Sequence, residues 1–178
     1  MQENKVGSLK NDPVKSYEES QIANFLFLNG INYEYEPFYK HDTATVEHRQ
    51  YQPDFYLPDY DIYLEHFGVD KNGKTAPFVP NEPYLEGMAW KRKLHKENET
   101  KLIETYSYYQ QEGRLLHKLE DILISNGVVL SPVNITEALK SLSENTLISD
   151  FSKTLATFIG HYKSNDHTIP KLRKRTGS

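Results

Sequence analysis

A short stretch over residues 51–68 constrains the fold of this chain more than any other part of the sequence. Its runs Phe55-Tyr56-Leu57 and Ile62-Tyr63-Leu64 combine aromatic, aliphatic and β-branched side chains, which favour strands. Pro58-Asp59 lies between the runs and is a turn signal. The stretch therefore predicts two short antiparallel strands joined by a tight turn.

Two acidic residues accompany these predicted strands. Asp54 comes directly before the first run, and Glu65 follows directly after the second. Antiparallel pairing of the two arms would bring the carboxylates near each other. Carboxylate oxygens are the hard ligands that Mg²⁺ and Mn²⁺ prefer. The hairpin therefore predicts a divalent-metal site and makes a metal-dependent phosphodiesterase the first hypothesis for function.

Composition excludes several other classes of protein. The 178-residue chain has no cysteine, which excludes disulfides, thiolate zinc sites and thiol catalysis. Its length fits one compact domain with a small appendage. No apolar run approaches the roughly 20 residues of a membrane span, and the first residues lack a signal-peptide core. We therefore expect a cytoplasmic protein without a membrane partner.

Charge is unevenly distributed along the chain. The net charge of −4 is not that of a general polyanion binder. Basic clusters nevertheless occur at residues 91–96 and 171–175, while acidic residues dominate before residue 70. This distribution suits a metal site that admits a phosphate backbone. The alternative for each cluster is an ordinary solvated helix face.

Hydrophobic periodicity predicts an alternation of helices and strands. The predicted elements, in chain order, are a helix over 16–28 with Ser16 and Glu19 as a capping box, strands over 31–39 and in both hairpin arms, a helix over 84–97, a strand over 100–107 and a helix over 114–125. Two more helices are expected at about 135–144 and 147–163. The predicted organisation is a flexible arm at 1–15, an α/β core at 16–130, a helical extension at 131–165 and a basic flexible tail at 166–178.

This αβββαβ order resembles the restriction-endonuclease-like core of the PD-(D/E)XK nuclease superfamily, a mixed central sheet flanked by helices. The matching residues are Pro53-Asp54 on the second strand and Glu65-His66-Phe67 on the third. The resemblance implies that Asp54 and Glu65 hold one or two Mg²⁺ or Mn²⁺ ions, helped by the backbone carbonyl of His66. It also implies a glutamate on the first helix, for which Glu19 is the best match. The His66 imidazole is a further candidate, for proton transfer.

The sequence departs from the superfamily at one catalytic position. A lysine is expected two residues after the acidic residue of the third strand, and this chain has Phe67 there. Some superfamily members carry this lysine on the following helix instead. Lys91 is the first candidate, because it shares a helical stripe with Met88 and His95, and Lys93 is the second.

The resemblance extends to a larger protein. Residues 16–26, the hairpin, Met-Ala-Trp-Lys-Arg-Lys at 88–93 and residues 155–163 are similar to the nuclease-like insert of UvrD/Rep-type helicases related to helicase IV. This similarity implies an ATP-driven DNA helicase of repair or recombination, with DNA and the rest of the helicase polypeptide as partners. The chain itself has no phosphate-binding loop of the Gly-x-x-x-x-Gly-Lys type, so ATP would bind outside it.

Structural alternatives remain for every candidate. For Asp54 the alternative is a turn cap, for Glu65 it is an exposed position on an edge strand, and for Glu19 it is the capping box alone. The tyrosines are better explained as core and sheet-face residues than as base-stacking residues, although Tyr106, Tyr108 and Tyr109 could serve either role. For the whole domain, the alternative is a catalytically inactive DNA-binding or protein-docking module. The sequence does not distinguish DNA from RNA as substrate.

Overall fold

The computed structural model describes residues 7–137 and 153–160. The chain divides into two units, one formed by Asn32–Val128 and one by Met1–Ile31 together with Val129–Ser178. The elements are α1 (Tyr17–Leu28), β1 (Glu34–Tyr35), β2 (Phe55–Leu57), β3 (Ile62–Phe67), α2 (Asn81–Glu97), β4 (Lys101–Tyr106), α3 (Ser107–Gln111) and α4 (Leu115–Ser125). This order is the predicted one with α3 added.

The Asn32–Val128 unit is built on a four-stranded mixed sheet. The strand order is β1-β2-β3-β4, in which β1 and β2 pair antiparallel, as do β2 and β3. Strands β3 and β4 are parallel, and the crossover that parallel pairing requires contains α2. The predicted α/β class with a mixed central sheet is confirmed at this level.

The predicted hairpin is present. In the register of β2 and β3, Phe55 faces Leu64 and Leu57 faces Ile62. The turn is closed by the Tyr60 N–H, which donates to the Leu57 carbonyl at 3.1 Å. These strand residues are buried, which fixes the register, since a slip by one residue would exchange the two faces of the sheet.

Successive residues of β3 point to opposite faces of the sheet. Tyr63, Glu65 and Phe67 share the face that α2 covers. At one end of this face the His95 ring of α2 lies 5.1 Å from the Tyr63 ring, and at the other end Met88 packs against Phe67. Glu65 therefore lies between two apolar clusters under α2.

The predicted first strand was too long. The structure has only Glu34–Tyr35 as β1, whereas the sequence predicted a strand over 31–39. Glu36 has a φ of 46°, in the left-handed region that interrupts a strand, and Pro37 has no N–H for a ladder. The next buried tyrosine, Tyr39, instead joins an aromatic cluster with Tyr51 and Tyr63.

The bounds of one helix and one strand also differ from the prediction. Helix α2 begins at Asn81 and not at residue 84, because Pro83 fits in a first helical turn, where its missing N–H has no helical partner to lose. Strand β4 ends at Tyr106, and the short helix α3 follows it directly. The predicted helix over 114–125 is present as α4, whose buried residues are Leu115, Leu116, Leu119 and Leu123.

In the other unit, α1 has the predicted caps. Ser16 Oγ accepts from the Glu19 N–H at 3.1 Å, and the helix ends at Asn29-Gly30 with a Gly30 φ of 68°. A Cβ at Gly30 would lie 2.5 Å from the Ser131 carbonyl oxygen, so this position requires glycine.

The segment predicted as a flexible arm contains packed residues. Leu9 is buried, and its N–H donates to Asn24 Oδ1 at 2.6 Å. Leu9 belongs to a small apolar cluster with Leu155, Phe27, Leu28, Ile135 and Ile159.

The C-terminal predictions fall only partly on described residues. Residues 135–137 and 153–160 are helical, and the remainder of the two predicted C-terminal helices and of the basic tail lies outside the described residues. Among the described helices, none has the length and apolarity to cross a membrane.

Candidate active site

Asp54 and Glu65 are the next residues along the two arms of the hairpin beyond the last paired positions, Phe55 and Leu64. Asp54 Oδ2 accepts a hydrogen bond from the His66 N–H at 2.7 Å, which holds this carboxylate against β3. The two predicted metal ligands are therefore neighbours.

Glu65 is a buried carboxylate with two strong partners. Its side chain is 1% exposed. Tyr51 Oη donates to Oε1 at 2.5 Å, and Lys91 Nζ donates to Oε2 at 2.5 Å. A buried carboxylate without such partners would be strongly destabilising. The expected alternative, an exposed position on an edge strand, is wrong because β3 is a central strand and Glu65 is covered by α2.

The structure distinguishes the two candidate lysines. Lys91 reaches Glu65, and its ammonium also lies 5.5 Å from the ring centre of Phe67 and 5.6 Å from that of Tyr51. Lys93 has a 72% exposed side chain and pairs with Glu97 at 3.6 Å. Two residues along a helix are about 200° apart around its axis, so only one of the two can face the sheet. Lys91 is the lysine that the fold brings to the carboxylates.

A chain of hydrogen bonds extends from Glu65 through Tyr51 to three further side chains. Tyr51 Oη lies 3.2 Å from His95 Nε2, and His95 Nδ1 lies 2.7 Å from Thr100 Oγ1. Thr100 Oγ1 in turn lies 2.6 Å from Tyr39 Oη. Five residues from β3, α2 and two connecting segments, one between β1 and β2 and one between α2 and β4, are thus joined.

The directions of these bonds follow from the protonation states. Burial, and next the negative charge of Glu65, raise the pKa of Tyr51 far above its usual range, so its hydroxyl donates to Glu65. Burial, and next the charge of Lys91, lower the pKa of His95 to about 4, so this imidazole is neutral near pH 7. His95 therefore donates from Nε2 to Tyr51 and accepts at Nδ1 from Thr100, whose oxygen accepts from Tyr39.

A third acidic residue continues the row of carboxylates. Glu104 on β4 is in register with Glu65 on the same face of the sheet. Its two oxygens accept from Arg92 Nε and Nη2, both at 2.7 Å, and Tyr106 Oη also donates to it. Burial acts to raise the pKa of Glu104, but the bonds from Arg92 and Tyr106 outweigh it and the pKa is lowered. Glu104 is therefore an ionised partner of α2 beside the Asp54–Glu65 pair.

The His66 imidazole lies on the opposite face of the sheet. His66 alternates with Glu65 and Phe67 along β3, and its Nδ1 lies 2.8 Å from Thr105 Oγ1. The expected role of this side chain in proton transfer is therefore wrong, because the sheet separates the imidazole from the carboxylates. Only the backbone of His66 adjoins them, through its bond to Asp54.

Two further expectations concern residues away from this cluster. Glu19 belongs to the other unit, where its Oε2 accepts from the Lys15 N–H at 3.1 Å, and its part in the site stays a prediction. The tyrosines of the β4–α3 junction pack on one another, with the Tyr106 ring centre 5.4 Å from those of both Tyr108 and Tyr109. All three rings are half-buried, so this packing decides for neither the structural nor the base-stacking role.

The donor set suits a small hard cation. Asp54 and Glu65 offer only carboxylate oxygens, the ligands of Mg²⁺ and Mn²⁺. Across residues 7–137 and 153–160, no group of three or more histidine or acidic side chains is placed to hold a metal ion. Mg²⁺ is often bound by one or two carboxylates, with water and substrate phosphates completing its shell. The pair fits such a site, although a cation on Glu65 Oε2 would have to replace Lys91.

Sequence reasoning missed the tyrosines and the threonine behind Glu65. His95 was on the predicted stripe with Lys91, one turn further along the same face of α2. Tyr51, Tyr39 and Thr100 come from irregular segments, for which periodicity gives no signal. These side chains are identified only from the structure, in which their polar atoms form the hydrogen-bond chain that begins at the buried Glu65.

Comparison with models of protein families, with curated proteins and with solved structures gives no match.

Proposed function

We propose that this chain is a metal-dependent deoxyribonuclease domain with a PD-(D/E)XK core. The observation that supports this most is the bond from Lys91 of α2 to Glu65, beside Asp54, whose carboxylate accepts from the His66 N–H. Two carboxylates and a lysine at one spot are the groups that phosphodiester hydrolysis requires for cation binding and charge stabilisation.

Each residue has a distinct task in this proposal. Asp54 and Glu65 would hold one or two Mg²⁺ or Mn²⁺ ions, and the His66 carbonyl would be a further ligand. When bound, the cation supplies an activated water and neutralises phosphate charge. Lys91 is a point charge on a flexible stem, 28% exposed, which suits contact with a phosphate oxygen. Tyr51 keeps Glu65 in place through its bond to Oε1.

The experiment is cleavage of plasmid and single-stranded DNA in Mg²⁺ or Mn²⁺ by the wild-type chain and by matched variants. We expect Asp54→Asn and Glu65→Gln to abolish cleavage. Lys91→Met should lower the rate by about 100- to 1000-fold, the usual effect of removing one group that stabilises transition-state charge. Lys93→Met is the control and should cleave like the wild type, because Lys93 points to solvent.

The main competing function is a catalytically inactive DNA-binding or protein-docking module. Phe67 at the usual lysine position and the occupation of both Glu65 oxygens favour it. DNA binding without cleavage in any divalent metal would establish this alternative and exclude the nuclease. Equal cleavage of RNA would instead widen the substrate class.

We further propose that the domain belongs to an ATP-driven helicase of the UvrD/Rep type. This rests on the similarity of residues 16–26, 88–93 and 155–163 to the nuclease-like insert of those proteins. The test is DNA-stimulated ATP hydrolysis by the complete natural polypeptide, with none by the 178-residue chain alone. ATP hydrolysis by the isolated chain, or none by the complete protein, would contradict this part of the proposal.

A further inference from the structure

Trp90 is a large, partly exposed aromatic side chain of α2. It is the only tryptophan in the sequence and is 40% exposed. Its ring edge packs against Tyr51, with ring centres 5.6 Å apart and an interplanar angle of 82°. Because Tyr51 Oη bonds to Glu65, a single tyrosine ring separates the exposed indole from the buried carboxylate.

The His48 imidazole lies beside this indole. The two ring centres are 6.5 Å apart, and the planes are inclined by only 33°. His48 is held in its loop by two hydrogen bonds to Thr45, one from the His48 N–H to Oγ1 at 3.0 Å and one from the Thr45 N–H to the His48 carbonyl at 2.9 Å. These two bonds fix the loop backbone at His48.

A glutamine fixes the same loop to the domain. Gln50 Oε1 accepts from the Thr43 N–H at 2.8 Å, and Gln50 Nε2 donates to the carbonyls of Tyr39 at 3.0 Å and His41 at 2.8 Å. An exposed loop built in this way presents its outer side chains in a fixed arrangement, as binding loops on rigid scaffolds do.

Cationic residues are next to both rings along the chain. The exposed Arg49 follows His48, and Lys91, whose ammonium lies 5.6 Å from the ring centre of Tyr51, follows Trp90 on α2. An exposed aromatic face with nearby cations is the combination that binds single-stranded nucleic acid, since bases stack on the ring while cations contact phosphates. A base in a duplex would not present its face to the indole.

We propose that Trp90, flanked by His48, stacks an unpaired nucleobase beside the phosphodiester bond at Asp54 and Glu65. Single-stranded DNA, including unwound ends, is then the preferred substrate class of this site. The placement of a phosphodiester bond at Asp54 and Glu65 rests on the proposed nuclease function. The stacking of a base on Trp90 does not depend on cleavage.

The test uses the intrinsic fluorescence of Trp90 in the intact chain, with EDTA present so that no cleavage occurs. A short thymidine oligonucleotide should quench this fluorescence. An oligomer of the same length built from abasic nucleotides keeps the phosphates and lacks the bases, and it should quench little. A duplex of the same sequence should also quench little.

Variants are compared by the anisotropy of a labelled oligonucleotide. Trp90→Leu should weaken single-strand binding by about 5- to 150-fold, the range for loss of one stacked base. Its dependence on salt should stay that of the wild type, because the phosphate contacts remain. Trp90→Phe keeps a stacking ring and should retain most affinity. Phe78→Leu, at an aromatic residue that is 87% exposed, is the matched control and should bind normally.

Two results would overturn the inference. One is equal quenching and affinity for abasic and thymidine oligomers, and the other is normal binding by a folded Trp90→Leu variant. Cleavage with no fluorescence change on binding would reject stacking and leave the nuclease intact. Base-dependent quenching without cleavage in any metal would retain stacking and reject the nuclease.

Discussion

Replacing Lys91 with methionine gives a stability test of the buried ion pair that needs no catalytic activity. Methionine keeps an unbranched apolar stem between Tyr51 and Phe67 but removes the charge. Within the described part of the chain, Glu65, with a 1% exposed side chain, then keeps a single hydrogen bond, the one from Tyr51. Breaking a buried pair by removing one partner costs roughly 3–5 kcal/mol.

The cost should lie near the lower end of this range, because Lys91 is 28% exposed and water can reach its position. About 3 kcal/mol corresponds to a fall in melting temperature of about 6–12 °C for a chain of this size. The measurement is urea and thermal unfolding followed by circular dichroism. Lys93→Met is the matched control, and its effect should stay within about 0.5 kcal/mol.

Divalent cations should reverse part of this loss. If Asp54 and Glu65 bind Mn²⁺, the cation supplies the positive charge that Lys91 supplied, and ligand binding to the folded state raises stability. Mn²⁺ should therefore stabilise Lys91→Met more than it stabilises the wild type. An unfolding midpoint for Lys91→Met equal to that of Lys93→Met would refute the buried-pair account. An equal stabilisation of Lys91→Met and of the wild type by Mn²⁺ would refute the replacement of the lysine charge by the cation.

Two further predictions concern the hydrogen bonds behind Glu65. Tyr51→Phe removes the donor to Oε1 and should weaken Mn²⁺ binding by about 10- to 100-fold, measured by calorimetric titration; Tyr56→Phe is the control, and equal affinities would count against a positioning role. For His95, the folded pKa of about 4 lies below the unfolded value of 6.5, so the stability it contributes is complete above pH 6.5 and is lost as the pH falls towards 4. His95→Gln should flatten this dependence in urea unfolding between pH 7 and 4.5, and an unchanged slope would be inconsistent with a neutral buried imidazole.

Turns and helix ends were predictable from the sequence where specific residue types mark them. Pro58-Asp59 between two apolar runs led to the hairpin, and Ser16 with Asn29-Gly30 led to both ends of α1. The extent of β1 was not predictable from alternation, because it depends on the positive φ of Glu36. Helix α3 was missed because tyrosines are common in strands.

The residues of the candidate site that lie on regular strands and helices were predictable from the sequence. The closeness of Asp54 to Glu65 follows from one hairpin, and the position of Lys91 follows from one helical stripe. The His66 imidazole was misassigned because adjacency in sequence was given more weight than the alternation of faces along a strand. Tyr51 and Thr100 depend on how irregular segments pack, which no local pattern specifies.

The most direct test of the central claim is a crystal structure of the chain soaked in Mn²⁺, with the ion located by its anomalous signal. The account predicts an ion about 2.0–2.2 Å from an oxygen of both Asp54 and Glu65, with Lys91 moved off Glu65 Oε2. Full Mn²⁺ occupancy elsewhere, with the 2.5 Å bond between Lys91 and Glu65 intact, would contradict it.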